Sequence, residues 1–330
     1  MLGVLAGRVT AAVAIAATIV ALSAAPAAAA GTPPSTGPAF AKLTLTVPDA
    51  FLVSHQLVTV PGRTVHVHGV VRPYVPGQWV LVKSSVNGKV FKTDHLRIQP
   101  APGGRSGQFT ESVSSRKAGR VTVQVGHTRN AALGGLLGRR TFTALDPSAS
   151  FGSSGLFVQL IQQRLAALHF YIPQTGVYDS GTGWALDAYH RLLHWGTYQT
   201  LDGRTVSYLL DGFGQFKIRF PHNGRHAEGN LSLQLLALAD GSHVVAIYPI
   251  SSGKPSTPTI LGNFHVYSKV PGYLPDGMYF SNFFISGYAI HGYDPAPDYP
   301  ASHGCMRVPI QDAISIYNWL AIGNSVNTYY

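Results

Sequence analysis

The hydrophobic and polar positions change their period along the chain and so mark different kinds of structure. From residue 43 to about 145, apolar and polar residues alternate with period two, and turn pairs such as Asn87-Gly88 separate the runs. This alternation predicts short antiparallel strands, and the clearest runs are 43–47, 64–71, 79–84, 109–113 and 120–125. About 100 residues of this pattern predict an Ig-like β-sandwich over residues 43–145.

A helical period follows a Pro/Ser/Gly linker at 146–155. One helix face is predicted from five apolar residues, Leu156, Leu160, Ile161, Leu165 and Leu168. After a turn at 175–179, a second helix is predicted from about residue 182 to 194. The region 156–213 is therefore predicted to be a small helical module.

The strand pattern returns over residues 222–330. Segments 231–238 and 244–250 flank Asp240-Gly241 and predict a hairpin, and 279–285, 288–291 and Val308 continue the sheet. One amphipathic stretch, 310–320, predicts a helix, and 326–330 predicts a closing strand. The predicted fold is therefore mainly β and multidomain: a sandwich, a helical module and a β-rich domain with one appended helix.

The first 30 residues resemble an export signal. Arg8 precedes an apolar run that reaches about Ala25, and Ala28-Ala29-Ala30 offers a cleavage site ahead of a linker at 31–42. The run is nearly long enough to span a bilayer, so an uncleaved membrane anchor is the alternative. We predict an exported protein that acts in the cell wall or another extracytoplasmic compartment.

The formal net charge of +10 is spread along the chain without a dense Lys/Arg block. Nucleic-acid binding is not expected from this distribution in an exported protein. A basic surface facing an anionic wall or membrane fits it better. No cofactor is predicted.

The chain contains one cysteine, Cys305, so it can form no disulfide bond within the chain, as structural cysteines of exported proteins usually do. Such a thiol attacks an acyl group as a thiolate, so it needs its pKa lowered by an imidazolium, an arginine or backbone N–H groups. His291, His303 and Arg307 supply these charges in the sequence, and Gly304 permits close backbone approach to a substrate. Cys305 is therefore predicted to be a nucleophile.

The order of residues narrows the class of enzyme. Both candidate bases precede Cys305 and no histidine follows it, whereas papain-like hydrolases place the histidine downstream. A zinc site is the competing interpretation, but the nearby His and Asp residues lack standard ligand spacing. We therefore predict no metal. Residues 303 and 305 would share a face of an extended strand, so His303 stays open as an alternative base to His291.

Two segments resemble known families. The helical stretch is similar to peptidoglycan-binding modules at seven positions: Gln162, Leu165, Phe170, Gly176, Tyr178, Asp179 and Thr182. The segments I-H-G at 290–292 and S-H-G-C-M-R-V at 302–308 resemble the signature of YkuD-type L,D-transpeptidases. This second resemblance covers about 110 residues and predicts a YkuD-like catalytic domain over 222–330. Two features depart from the family pattern. Ile260-Leu261 interrupts the family's T-P-x-G spacing, which begins in this sequence at Thr257-Pro258, and the interval between His291 and Ser302 is short.

The second resemblance implies roles for individual residues. Cys305 would be the nucleophile and His291 the proton acceptor and donor, with the Gly292 carbonyl orienting His291. Support for the nucleophile and the oxyanion would come from Ser302, His303 and Gly304, and substrate contacts from Arg307 and Tyr288. Arg307 would either pair with a substrate carboxylate or hold the loop.

The resemblances imply a cell-wall L,D-transpeptidase that crosslinks peptidoglycan through a Cys305 thioester on a stem tetrapeptide. Its partners would be stem peptides and wall glycan, with carbapenem-type β-lactams as inhibitors. Water as the acyl acceptor would instead give an L,D-carboxypeptidase. A non-catalytic peptidoglycan-binding scaffold is the alternative from a different class.

Overall fold

The computed structural model describes residues 42–127 and 134–330. The predicted export signal lies outside the described residues, as does nearly all of the linker at 31–42. No helix in the described part of the chain has the length and apolar character needed to span a membrane. Strands dominate over helices, and the predicted mainly β, multidomain class is confirmed.

Ten strands form two sheets in the N-terminal sandwich: β1 (Lys42–Thr46), β2 (Phe51–Val53), β3 (Gln56–Thr59), β4 (Val65–Arg72), β5 (Trp79–Val86), β6 (Lys89–Arg97), β7 (Gln99–Pro100), β8 (Gly107–Val113), β9 (Gly119–His127) and β10 (Leu136–Ala144). Their orders are β1-β4-β8-β7 and β2-β3-β10-β9-β5-β6. Inward-facing residues such as Val67, Phe109 and Val123 fill the space between the sheets. The apolar positions of the alternating pattern therefore lie on the strand faces that are buried between the two sheets.

Three helices follow the sandwich: α1 (Leu156–Ala167), α2 (Ser180–Leu192) and α3 (Gly203–Asp211). The carboxylate of Asp179 caps α2 by accepting from Thr182 N at 2.9 Å. Helix α3 was not predicted from the sequence, although Asp202 caps it in the same way by accepting from Thr205 N at 2.6 Å. It has only nine residues, so its apolar face, formed by Val206, Leu209 and Leu210, covers too few turns to stand out as a repeat.

The C-terminal domain contains two further sheets. Its strands are β11 (Arg225–Asn230), β12 (Leu235–Asp240), β13 (His243–Pro249), β14 (Gly262–His265), β15 (Ser268–Tyr273), β16 (Tyr279–Ile285), β17 (Tyr288–Gly292), β18 (Met306–Val308) and β19 (Ser325–Tyr329). The sheet orders are β13-β12-β11-β19-β14 and β15-β16-β17-β18. A shared core including Leu236, Ile290 and Met306 lies in this domain.

The strands and the helix predicted for this domain agree with the structure only in part. The predicted strand 231–238 begins only at Leu235, because residues 231–234 form a turn in which Gln234 has φ +52°. The predicted helix 310–320 is present: its first three residues form a 3-10 turn, Ile310–Asp312, and α4 (Ala313–Trp319) follows directly. Strand β11 was missed because its sequence, RHAEGN, buries a polar pair that breaks the apolar alternation.

The helical module joins the other two parts through one hydrophobic core. Val58 of the sandwich and Ile247 of the C-terminal domain belong to the same buried cluster as Leu160 and Tyr189 of the helices. Backbone hydrogen bonds also cross this junction, since Tyr171 N donates to Ile247 O at 2.9 Å. The helices therefore do not form an isolated spacer.

Candidate active site

The predicted site residues meet at a cavity of about 620 Å³ in the C-terminal domain. Strand β17, the loop before β18 and the β15–β16 turn supply its walls: Asp276, Met278, Ser286, Gly287, Tyr288, His291, Tyr293, Ser302, His303, Cys305 and Arg307. Strands β17 and β18 run parallel, with His291 in register with Arg307. Two segments that are distant in sequence thus present their polar side chains to one space.

Cys305 occupies the end of the loop that leads into β18 and is partly buried. Ala289 N on β17 donates to its sulfur at 3.4 Å, and the sulfur lies 3.8 Å from Gly287 O. Burial raises the pKa of the Cys305 thiol, while the Ala289 hydrogen bond and the charge of Arg307 act in the opposite direction. The pKa lowering predicted from the neighbouring charges was therefore wrong for the resting state, because desolvation outweighs the Ala289 N–H and Arg307.

His291 lies on β17 with only 2% of its surface exposed. Its Nδ1 lies 2.9 Å from Gly292 O, and because a carbonyl only accepts, Nδ1 carries the proton and Nε2 keeps its lone pair. Burial lowers the pKa of His291 to about 4, assisted by the charge of Arg307 and opposed by the Gly292 hydrogen bond and Asp276. Above that pH, His291 is a neutral imidazole able to accept a proton.

Ser302 holds the loop around the cysteine. Its hydroxyl donates to Cys305 O at 2.6 Å and accepts from Gly304 N at 3.1 Å. The Gly304 N–H is therefore engaged within the loop, whereas Cys305 N donates to no described residue. Gly304 has φ +116°, and a Cβ there would lie 1.7 Å from the ring of Tyr288, so this position requires glycine.

His303 has a different environment from His291. It is exposed, and Lys254 Nζ lies 3.1 Å from its Nε2. An ammonium group can only donate, so this contact uses the lone pair that a general base needs. Residues 303–305 form a bend and not a strand, so the expectation that positions 303 and 305 share a strand face was wrong.

Arg307 and Tyr288 both line the cavity, as the sequence analysis proposed for substrate contacts. The Arg307 guanidinium stacks 4.0 Å from the centre of the Tyr293 ring. Tyr288 packs its ring against Gly304. Asp276 was missed: it sits in a Pro-Asp-Gly turn, where its Oδ1 accepts from Met278 N at 3.3 Å, and such turn residues look purely structural in sequence.

No cluster of three or more His, Cys, Asp or Glu residues suited to holding a metal ion occurs within residues 42–127 and 134–330. The arrangement at the cavity instead combines a thiol, a neutral imidazole with a free ring nitrogen, and a fixed positive charge. These groups suit nucleophilic acyl transfer with general acid–base assistance.

Comparison with known proteins places this domain in a class of cell-wall transpeptidases. Residues 224–327 match the family model YkuD, the L,D-transpeptidase catalytic domain. The C-terminal domain of the chain is a YkuD-type L,D-transpeptidase catalytic domain. No curated protein matches the chain.

The chain is also similar to solved structures. An L,D-transpeptidase from Xylanimonas cellulosilytica (residues 123–326) is similar at 29% identity and TM-score 0.51, covering 56% of this chain and 100% of that one. An L,D-transpeptidase from Stackebrandtia nassauensis is 17% identical with TM-score 0.36, covering 56% and 95%. The ertapenem-acylated catalytic domain of an E. faecium L,D-transpeptidase is 25% identical with TM-score 0.29, covering 32% and 98%.

Proposed function

We propose that the protein is an exported L,D-transpeptidase that crosslinks peptidoglycan through a thioester on Cys305. The observation that carries the proposal is that Cys305 and a neutral, buried His291 line the same cavity of a YkuD-type domain. In the resting state both groups are uncharged, so the imidazole removes the thiol proton during attack.

In the first half-reaction, the Cys305 sulfur bonds to the carbonyl carbon of the third residue of a stem tetrapeptide. Nε2 of His291 takes the thiol proton and then gives it to the amine of the departing D-alanine as the C–N bond breaks. We assign Cys305 N–H as an oxyanion donor, because the Gly304 N–H is already bonded to Ser302. Ser302, His303 and Gly304 shape the loop.

In the second half-reaction, the side-chain amine of a neighbouring stem attacks the thioester carbonyl. His291 accepts the proton of the attacking amine and returns it to the sulfur as the C–S bond breaks. Arg307 supplies a positive charge in the cavity that a stem carboxylate can pair with. Water in place of the amine turns the same sequence of steps into carboxypeptidase activity.

We also propose that the helical module binds peptidoglycan, as its resemblance implies. Several of its motif residues form a structural clamp: the buried Gln162 donates to Thr182 Oγ1 at 3.0 Å and Val177 O at 2.9 Å, and accepts from Gly176 N at 2.8 Å. These groups hold the turn before α2, and Gln162 and Thr182 are fully buried, so neither side chain faces a ligand. Wall contacts would therefore come from other parts of the module.

Intact-mass spectrometry with a stem tetrapeptide tests the proposal. The wild type should gain the mass of the tripeptide acyl group, and Cys305→Ala should gain none. A mass increase that persists in Cys305→Ala refutes the thioester on Cys305. No mass increase in the wild type also refutes it and favours a non-catalytic scaffold. A carbapenem-type β-lactam should likewise acylate Cys305 under reducing conditions.

The acceptor is decided by the products formed when a second, amine-bearing stem peptide is added. A crosslinked dimer in excess of free tripeptide supports the transpeptidase. Free tripeptide alone identifies an L,D-carboxypeptidase.

A further inference from the structure

Arg191, near the C-terminal end of α2, connects the helical module to the catalytic domain. Its side chain is 3% exposed, and its Nη2 pairs with Asp187 on the same helix at 2.5 Å. Its Nη1 crosses to the catalytic domain and donates to Gln234 O and Ile250 O, both at 2.9 Å. Buried charge-assisted hydrogen bonds of this kind are among the stronger polar contacts in proteins.

Gln234 passes this connection to the segment after β13. Its backbone has φ +52°, a region that non-glycine residues rarely occupy. The Gln234 side chain accepts from Ser252 N and donates to Ser252 Oγ, both at 2.8 Å. The backbone carbonyl of Gln234 also accepts from Ile250 N at 2.9 Å. Residues 250–252 are thus fixed from the side of the helical module.

Ser252 continues the connection to the cysteine loop. Its carbonyl accepts from Ala301 N at 2.9 Å and from Ser302 N at 3.0 Å. The hydroxyl of Ser302 then holds Cys305 O and Gly304 N. An unbroken series of hydrogen bonds therefore runs from Arg191 on α2 to the backbone of Cys305, and Ser252 is itself only 3% exposed.

We propose that Arg191 is a positioning residue for Cys305, so that the helical module takes part in aligning the nucleophile and is not only an attachment to the wall. The role in acyl transfer rests on the proposed function, whereas the effect on thiol geometry does not. Displacement of a reacting group by about 1 Å can slow an enzyme on the order of 100-fold. A module packed against the 250–252 segment can produce a displacement of this kind.

The test uses the full chain with three variants. Arg191→Met removes the donors but leaves Asp187 buried without its partner. The double variant Asp187→Leu/Arg191→Met replaces the whole ion pair by apolar side chains of similar shape, an exchange that often preserves stability. Arg164→Met is the matched control, because Arg164 donates to Leu209 O at 3.2 Å within the same module and lies over Phe51, away from residues 250–252.

Two measurements are made on folded protein, with thermal unfolding recorded for each variant. The first is the pH profile of Cys305 alkylation by iodoacetamide, which requires no transpeptidase activity. The second is the rate of acylation by a stem tetrapeptide. Burial is what raises the pKa of the thiol, so a loosened loop should lower the alkylation midpoint toward that of an exposed thiol.

In the double variant we expect the alkylation midpoint to fall and acylation to slow about 10- to 100-fold, with Arg164→Met unchanged in both. A double variant that is folded and keeps the wild-type midpoint overturns the positioning role and reduces Arg191 to an interface contact. A lowered midpoint in a protein whose wild type is never acylated supports the positioning role and refutes the proposed function. The two proposals therefore fail separately.

Discussion

Two buried histidines of the catalytic domain, His226 and His291, differ in what surrounds their rings. His226 on β11 is fully buried, its Nδ1 bonded to Gly224 O at 2.7 Å and its Nε2 to Glu228 Oε1 at 3.2 Å. Burial alone would lower the pKa of His226, but the carboxylate of Glu228 and the Gly224 carbonyl outweigh it and raise that pKa. His291 has no carboxylate hydrogen-bonded to it among the described residues, and its pKa falls to about 4.

We call the His226 site closed, because both ring nitrogens of His226 are hydrogen-bonded and its partner Glu228 accepts from several other groups. Its carboxylate accepts from Arg219 N at 3.0 Å, Phe220 N at 2.7 Å and Tyr329 Oη at 2.9 Å, in addition to His226. Burial raises the pKa of Glu228, but these donors outweigh it and lower that pKa. A buried histidine is therefore not by itself a mark of function. The mark is a ring nitrogen left available on a cavity that also contains a thiol.

The largest expected effect comes from removing the available nitrogen. His291→Gln should slow acylation of Cys305 by a stem tetrapeptide about 10²- to 10⁴-fold, the range expected for loss of a general base. His226→Gln is the matched change at the closed site and should leave the acylation rate of the folded protein within a few-fold of wild type. Intact-mass time courses measure both rates. Equal losses in the two variants would remove the distinction between the sites.

The second effect concerns stability. Glu228→Ala should reduce the free energy of unfolding by about 3–5 kcal/mol, because it leaves a buried histidine and two partly buried backbone N–H groups without their acceptor. Urea denaturation measures the change. The alkylation midpoint of Cys305 in the folded variant should stay at the wild-type value, and a shifted midpoint would show that the closed site also shapes the cavity.

The sequence predicted several residues that line the cavity, at positions where the chemistry of the side chains and their order along the chain agree. Cys305 and His291 could be predicted to share a site because a lone cysteine with polar neighbours and two upstream histidines is an unusual combination, and both residues line the cavity. The sandwich strands could be predicted from their alternation. Strand β11 could not, because His226 and Glu228 are polar residues that become buried only by pairing with each other.

The environment of the site could not be predicted from the sequence, for a related reason. The direction of the Cys305 pKa depends on burial by segments far away in the chain, and no local motif reports that. The same holds for Asp276, which reaches the cavity from a hairpin turn, and for Arg191, whose acceptors Gln234 and Ile250 lie in another domain. Long-range contacts decide these features, and residue spacing does not encode them.

The third prediction uses the opposite pKa directions of the two histidines. His291 has a folded pKa of about 4 against about 6.5 unfolded, so only the unfolded chain binds its proton between these values. Its contribution to stability is complete above pH 6.5 and is lost as the pH falls to about 4, by about 3 kcal/mol in total. The raised pKa of His226 gives a contribution that is complete below about pH 6.5 and is lost as the pH rises through its folded value.

Unfolding free energies of wild type, His291→Gln and His226→Gln between pH 4 and 9 test these signs. The wild-type advantage over His291→Gln should shrink toward acid pH, and that over His226→Gln should shrink toward alkaline pH. Two differences that change in the same direction would contradict the environments described for the two rings.

The smallest effect is expected at His303, the alternative base. Its ring is exposed, and its Nε2 accepts from Lys254, so His303→Gln loses a hydrogen bond at the edge of the cavity and not the proton acceptor. An exposed hydrogen bond contributes about 1 kcal/mol, so acylation should slow by about 10-fold or less. Lys254→Met should have a similarly small effect, because it frees His303 without removing it. The base is His303 if the opposite result is found, with a large loss of acylation rate in His303→Gln and little effect in His291→Gln. In that case Lys254→Met should accelerate acylation, because it releases the lone pair on His303 Nε2.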